Sequence, residues 1–202
     1  VTKSGRNVSI TSGHSLFKLD KGKIIAEKGD NLKIGDYLAI PKRFSWHKEI
    51  DGVDIEDYIK IKDNNYYKKE NGMLYYCKIP ICNLKIKLTN EFARLLGYYL
   101  AEGSAPRHIS FVIGKHEKEI LEDIKKSIEK CFPSSFSVYD RGNALEICFG
   151  ARILKGLFKS WFGNNARTKK IPRFVFSAND EFKLNFLGAY INGDGSIDKG
   201  KE

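Results

Sequence analysis

No Cys-x-x-Cys pair occurs anywhere in these 202 residues. The four cysteines (Cys77, Cys82, Cys131 and Cys148) stand apart, and no histidine lies at zinc-ligand spacing from any of them. That pattern excludes the common structural zinc modules and reads as buried free thiols in a reducing compartment. No apolar run approaches the eighteen or so residues of a membrane span, and no signal pattern opens the chain, so no membrane partner and a cytoplasmic location are expected. Acidic charge is in short supply: 25 Asp and Glu face 35 Lys and Arg, a formal net charge of +10. A basic surplus of that size points to an anionic partner such as nucleic acid. An initiator methionine is also missing: the chain begins at Val1 and stops at Glu202, seven residues past Gly195. The expectation is an interior fragment of a longer protein.

Residues 1–42 read as β. Val8 and Ile10 alternate with Ser9 and Thr11, the stretch FKLDKGKIIA turns at Asp20 to Gly22, LKIGD supplies a further turn, and YLAIP closes the segment. Residues 43–90 are polar and tyrosine-rich, punctuated by KDNN and KENG, and read either as a linker or as a small inserted subdomain. From residue 91 the pattern changes. EFARLLGYYLAEG is an apolar helix stopped by Gly103, placed in the left-handed conformation that follows many helices. HISFVIG alternates, with Ile109, Phe111 and Ile113 on one face. KEILEDIKKSIEKCF is amphipathic along Ile120, Leu121, Ile124, Ile128 and Cys131. FSVYDRGNALEICFG is a hairpin turning at DRGN, and ARILKGLFKSWF is a third helix. After a loop at 163–172 the opening helix restarts. The order predicts an α+β fold, with helices on one side of an antiparallel sheet whose other face is polar and exposed.

The restart is a repeat. LLGYYLAEGS (95–104) returns ninety-two residues later as LGAYINGDGS (187–196), so that Glu102 matches Asp194, Gly97 matches Ala189 and Ala101 matches Gly193. Small residues at matched positions (Gly97, Ala101, Gly188, Ala189 and Gly193) let two helices approach backbone to backbone across a pseudo-two-fold axis. Each helix then delivers one carboxylate to the same end. An acid in a helix's last turn opposes the macrodipole by some tenths of a kcal/mol, so two of them call for a cation, with Mg²⁺ first among hard divalent ions. Two acids beside a two-fold axis suit hydrolysis of one phosphodiester on each DNA strand.

These two motifs resemble the paired signature of LAGLIDADG (dodecapeptide-type) homing endonucleases, over about residues 91–197. The resemblance implies that Glu102 and Asp194 are the metal-binding catalytic acids, with Mg²⁺ as cofactor. It also implies a long asymmetric double-stranded DNA target and a monomer with internal pseudo-symmetry. The acid-free stretch 151–179 holds seven Lys or Arg, and its TKKIPRF resembles the family's Lys-x-Ile-Pro element. The matching lysine, near the scissile phosphate, is Lys169, with the adjacent Lys170 as the alternative; Arg173 follows as a DNA contact. The polar strand positions His108, Ser110, Ser137, Tyr139 and Arg141 would then face the major groove.

Near the other end, TSGH places Thr11 and His14 at Thr-x-x-His spacing, and LKIGDYLAIP (32–41) follows. The pair resembles blocks of the hedgehog/intein (Hint-type) splicing domain, in which histidine and threonine polarise the peptide bond at a splice junction for acyl transfer. That resemblance implies host exteins joined in cis. Val1 stands where the resemblance implies a Cys, Ser or Ala, and no His-Asn junction follows Gly195, so the chain as written is not expected to splice itself. The domain expectation is a Hint segment at 1–42, a linker or subdomain at 43–90, and an endonuclease domain at 91–202 with its second repeat truncated. A DNA-binding protein without cleavage, an element that only splices, and an RNA maturase on the same scaffold remain the alternatives.

Overall fold

The computed structural model describes residues 9–39, 49–62, 64–164 and 166–194. Val8, Ile40, Pro41, Gly195 and Ser196, all used above, lie outside the described residues. The chain divides into two units, Val1–Ser45 and Trp46–Glu202.

In the first unit, strands β1 (Ser15–Asp20), β2 (Lys23–Lys28) and β3 (Tyr37–Leu38) form an antiparallel sheet in the order β2-β1-β3. The β1–β2 hairpin turns on Lys21 and Gly22, both with positive φ (47° and 77°), the two-residue geometry that matches strand twist. Residues 9–14, expected to begin a strand, turn instead: His14 donates its backbone N–H to the Thr11 carbonyl at 3.0 Å. None of the described residues of this unit is buried, and Phe17 and Ile24 are both more than half exposed.

The second unit opens with β-structure. Strand β4 (Gly52–Asp54) pairs with β8 (Lys85–Lys87), and between them β5 (Tyr67–Glu70), β6 (Met73–Tyr76) and β7 (Ile79–Asn83) form a three-stranded antiparallel sheet. Val53, Ile55, Leu74, Ile81, Cys82 and Ile86 from this region are buried in the same core as the helices that follow. Residues 49–90 thus carry ordered β-structure continuous with the unit's core.

Helix α1 (Asn90–Glu102) starts where the Thr89 hydroxyl accepts from the Phe92 N–H at 3.2 Å, an ordinary N-cap. The chain continues through β9 (Gly103–Ser104), β10 (Ile109–Gly114), α2 (Lys118–Cys131), β11 (Phe136–Asp140), β12 (Ala144–Phe149) and α3 (Arg152–Phe162). A short α4 (Arg173–Ser177) leads to α5 (Asp180–Asp194). The four strands make one antiparallel sheet ordered β11-β12-β10-β9. The fold is mixed α and β with antiparallel sheets.

Register puts Ile109, Phe111, Ile147 and Phe149 on the sheet face that meets the helices, and all four are buried. Aromatic rings fill the space between. Phe92 lies among Phe132, Trp161, Phe174 and Phe182 with centroids 5.9–6.4 Å apart, and Tyr99 touches Phe158 at 4.9 Å and Phe162 at 4.7 Å. Contacts of this kind add to the area each ring removes from water.

Gly103 departs from expectation. It is extended (φ −77°, ψ 149°) and begins β9 rather than ending α1 in the left-handed region. Glycine is required there for space: a Cβ would collide with the ring and Cα of Tyr99. Removing a side chain lets the backbone leave the helix directly over its own last turn.

Candidate functional site at the paired helix ends

α1 and α5 pack through the small residues of the repeat. A Cβ on Gly97 would run into the Phe186 carbonyl and lie 2.9 Å from the Ala189 Cβ; one on Gly193 would lie 2.7 Å from the Ala101 Cβ. Four of the five expected small positions therefore line the seam. Gly188 does not: it is exposed, with nothing within 4 Å of an added Cβ. Its phase on α5 turns it away from α1.

Polar contacts run along the same helices. Asn90 donates to Glu181 at 2.6 Å, and Arg94 donates through Nη1 to Asn185 at 3.2 Å and through Nε to both carboxylate oxygens of Asp123 on α2 at 3.0 Å. Tyr98 donates its hydroxyl to the same carboxylate at 3.0 Å. Burial, then the Asp123 charge, push the Tyr98 phenol well above its ordinary range. This network on α1, α2 and α5 has no counterpart in the sequence reading, because its partners are 25 to 91 residues apart.

Packed this way, the last residues of the two helices, Glu102 and Asp194, come to the same end of the seam. Burial raises the Glu102 carboxyl above its ordinary pKa, and the negative charges of Asp194 and then Glu117 raise it further, opposed by Lys169. Glu117, which accepts the Gly114 N–H at 2.8 Å, joins this acidic neighbourhood unannounced by any motif.

Of the two adjacent lysines, Lys169 is the one whose side chain lies at this end. Its ammonium donates to the carbonyls of Tyr99 and Leu100 at 2.9 Å each and of Ala101 at 3.4 Å, and lies 5.5 Å from the Tyr99 ring centre. A cation there answers the negative end of the α1 dipole. Burial lowers its pKa, while Glu102 and Asp194 act in the opposite direction. Lys170 is exposed, and its backbone N–H donates to Phe162.

The donor set at this end is two carboxylates. The nearby carbonyls already hold Lys169, and among the described residues no cluster of three or more His, Cys, Asp or Glu is placed to bind a metal. Two carboxylates suit Mg²⁺, which keeps several waters and takes one or two protein oxygens.

The remaining sequence candidates are more dispersed. Ser137 and Tyr139 on β11 lie exposed on the sheet face away from the helices, and His108 is exposed just before β10. Arg141, in the turn after β11, is exposed but pairs with Glu146 at 2.6 Å and lies over the Tyr139 ring. Ser110 departs from expectation: it is buried, and its hydroxyl shares a hydrogen bond with Ser104 at 2.9 Å. Arg173 is exposed at the start of α4. In the other unit Thr11 and His14 stand exposed at the two ends of the turn before β1. The four cysteines are free thiols, but only Cys82 is buried as expected; Cys131 and Cys148 are partly exposed and Cys77 is exposed.

No family model matches the chain. It is similar over almost all its length to segments of archaeal proteins. It is 35% identical over 97% of its residues to the DNA-directed RNA polymerase subunit Rpo1C of Methanocaldococcus jannaschii. It is 26% identical over 95% to the DNA polymerase II large subunit of Thermococcus kodakarensis, and 24% identical over 95% to the replication factor C small subunit of Methanocaldococcus jannaschii. The chain spans only 23%, 14% and 11% of those three relatives, respectively.

Proposed function

We propose that this chain is part of an intein carrying a LAGLIDADG-type homing endonuclease, and that its second unit cuts both strands of a DNA duplex by metal-dependent hydrolysis. The observation that carries the reading is the seam of α1 and α5, closed on glycine and alanine, with Glu102 and Asp194 at one end and Lys169 beside both. The relatives support it from another direction. One segment recurs as a minor share of an RNA polymerase subunit, a DNA polymerase subunit and a replication factor subunit, three differently named proteins. A mobile inserted element accounts for that distribution better than a shared catalytic domain does.

Glu102 and Asp194 are the residues to hold Mg²⁺, which when bound supplies Lewis-acid polarisation of a phosphate and a more acidic water. Lys169 keeps the end of α1 and its acid in place and brings positive charge to where a phosphate must dock. Ser137, Tyr139 and the exposed edge of the sheet offer contacts to base edges, and Lys170 and Arg173 contacts to phosphates. Thr11 and His14 belong to the N-terminal splice junction in this reading, with exteins as the partners in cis.

The deciding experiment incubates the full-length protein containing this chain with supercoiled plasmid bearing the uninterrupted host-gene sequence, with and without Mg²⁺. Linear product that requires Mg²⁺ and disappears in Glu102→Gln supports the endonuclease. Retarded plasmid without any cut product replaces it with the non-cleaving DNA-binding reading.

A further inference from the structure

An open groove lies in the second unit between the β5–β7 sheet and α3, and none of the residues assigned above lines it. Tyr66, Tyr67 and Tyr76 line one side, and Arg152, Ile153 and Gly156 line the other. Strand register builds the aromatic wall. Tyr67 sits directly opposite Tyr76 across β5 and β6, which puts both rings on one face. Tyr66 stacks on Tyr76 with centroids 6.2 Å apart, and Tyr67 tilts against Tyr76 at 5.0 Å. The rings are not sealed in the core: Tyr66 is 61% exposed and Tyr76 40%.

The charge distribution singles this groove out. Residues 58–89, which form its aromatic side, hold seven lysines against two acids; residues 151–179, which begin at its other side, hold seven Lys or Arg against none. The other 141 residues hold 21 basic and 23 acidic side chains. The whole net positive charge of the chain therefore resides in the two segments that each supply a wall of the groove; of their cations Arg152 lines the groove itself, while Lys169 lies at the paired helix ends. Among the described residues Lys68, Lys78, Arg152 and Lys155 have no carboxylate within ion-pair distance.

A partner with repeating sugar faces and a repeating negative charge answers both features. Tyrosine faces pack on the deoxyribose rings that a duplex exposes, and guanidinium and ammonium groups take phosphates. We infer that this groove is a second DNA contact, which holds duplex flanking the cleaved site. The inference rests on the nuclease reading above and extends it to a surface outside the acid pair and its sheet.

The test is fluorescence anisotropy with the full-length protein and a labelled duplex carrying the insertion site with its flanks, across a KCl series. The double variant Tyr66→Ala/Tyr76→Ala should bind about five- to a hundredfold more weakly, the usual cost of truncating aromatic contacts at an interface. Arg152→Glu, at an exposed position, should also weaken binding and reduce the slope of log K against log salt by about one to two. Tyr76→Phe, which keeps the ring, should bind as the parent does, and unchanged melting temperatures exclude loss of fold. Parent-like affinity and slope in both the double variant and Arg152→Glu overturn the inference while leaving the nuclease reading intact. Failure of the parent protein itself to bind the duplex removes the DNA reading, and the groove's role with it.

Discussion

Ninety-two residues apart, Phe92, Leu95, Leu96 and Tyr99 on α1 correspond to Leu184, Leu187, Gly188 and Ile191 on α5. The first four are buried against the sheet and its covering helices, whereas Leu184 is 69% and Leu187 49% exposed, and Gly188 faces open space. The seam between the two helices is nonetheless closed. The repeated pattern thus encodes two separable things. Small residues and a terminal acid make the seam and deliver the carboxylate. The apolar face on the far side is a second instruction, fulfilled for α1 by β9 to β12, α2 and α3, and unfulfilled for α5 among the described residues.

Four experiments press on that comparison. The largest effect is expected at the shared end. Glu102→Gln and Asp194→Asn should each reduce plasmid linearisation by roughly a hundredfold or more. Nicked circles accumulating in one variant and not the other would assign each acid to one strand and break the equivalence of the two helices.

The next effect separates the far faces. Leu95→Ala should cost about 2–5 kcal/mol in denaturant unfolding of the chain, through lost burial and a cavity. Leu187→Ala should stay within about 0.5 kcal/mol. Equal losses would mean that α5's open face is covered in solution.

Glycines give a smaller contrast of opposite sign. Gly97→Ala forces a Cβ against the α5 backbone and should destabilise by about 1–3 kcal/mol. Gly188→Ala meets nothing and should stabilise by about 0.5–1 kcal/mol, since alanine restricts the unfolded chain and favours helix.

The smallest effect is a dependence on pH. A carboxyl whose folded pKa is raised keeps a proton in the native state after the unfolded chain has lost it. Stability therefore falls as pH rises from the unfolded pKa of Glu102 through its folded one, and the loss persists above. Glu102→Gln should flatten that decline in metal-free buffer and raise the melting temperature slightly at neutral pH, even as it removes cleavage. A steeper decline in the variant would contradict the burial and Asp194 repulsion seen at this end.

Much of the second unit was readable from periodicity. The helices at 90–102, 118–131 and 152–162 and the β11–β12 hairpin fall where alternation and the 3.6-residue pattern put them, because each buries one face locally defined by its own residues. The β-structure of 49–90 was not readable, since its short strands carry tyrosine and lysine rather than a clean alternation and gain their order from packing on the helical core. Gly103 was placed correctly at the helix end but for the wrong reason. Glycine after a helix predicts positive φ on average, and only the position of the Tyr99 ring reveals a demand for space instead. Ser110 kept its strand phase yet lost its exposure to a hydroxyl partner that lies six residues earlier in the chain, on the neighbouring strand.

By itself the sequence determined the local grammar: which stretches are helices, that one helix returns, and that each copy ends in an acid beside small residues. Those properties follow from side-chain size and spacing along one segment. Tertiary structure decided what depends on distance between segments. It placed Lys169 rather than Lys170 on the α1 carbonyls, turned Gly188 away from the seam while pressing Gly97 into it, and set three tyrosines opposite Arg152. The reason is physical: charge and close approach act through space, and a fold alone says which residues share it.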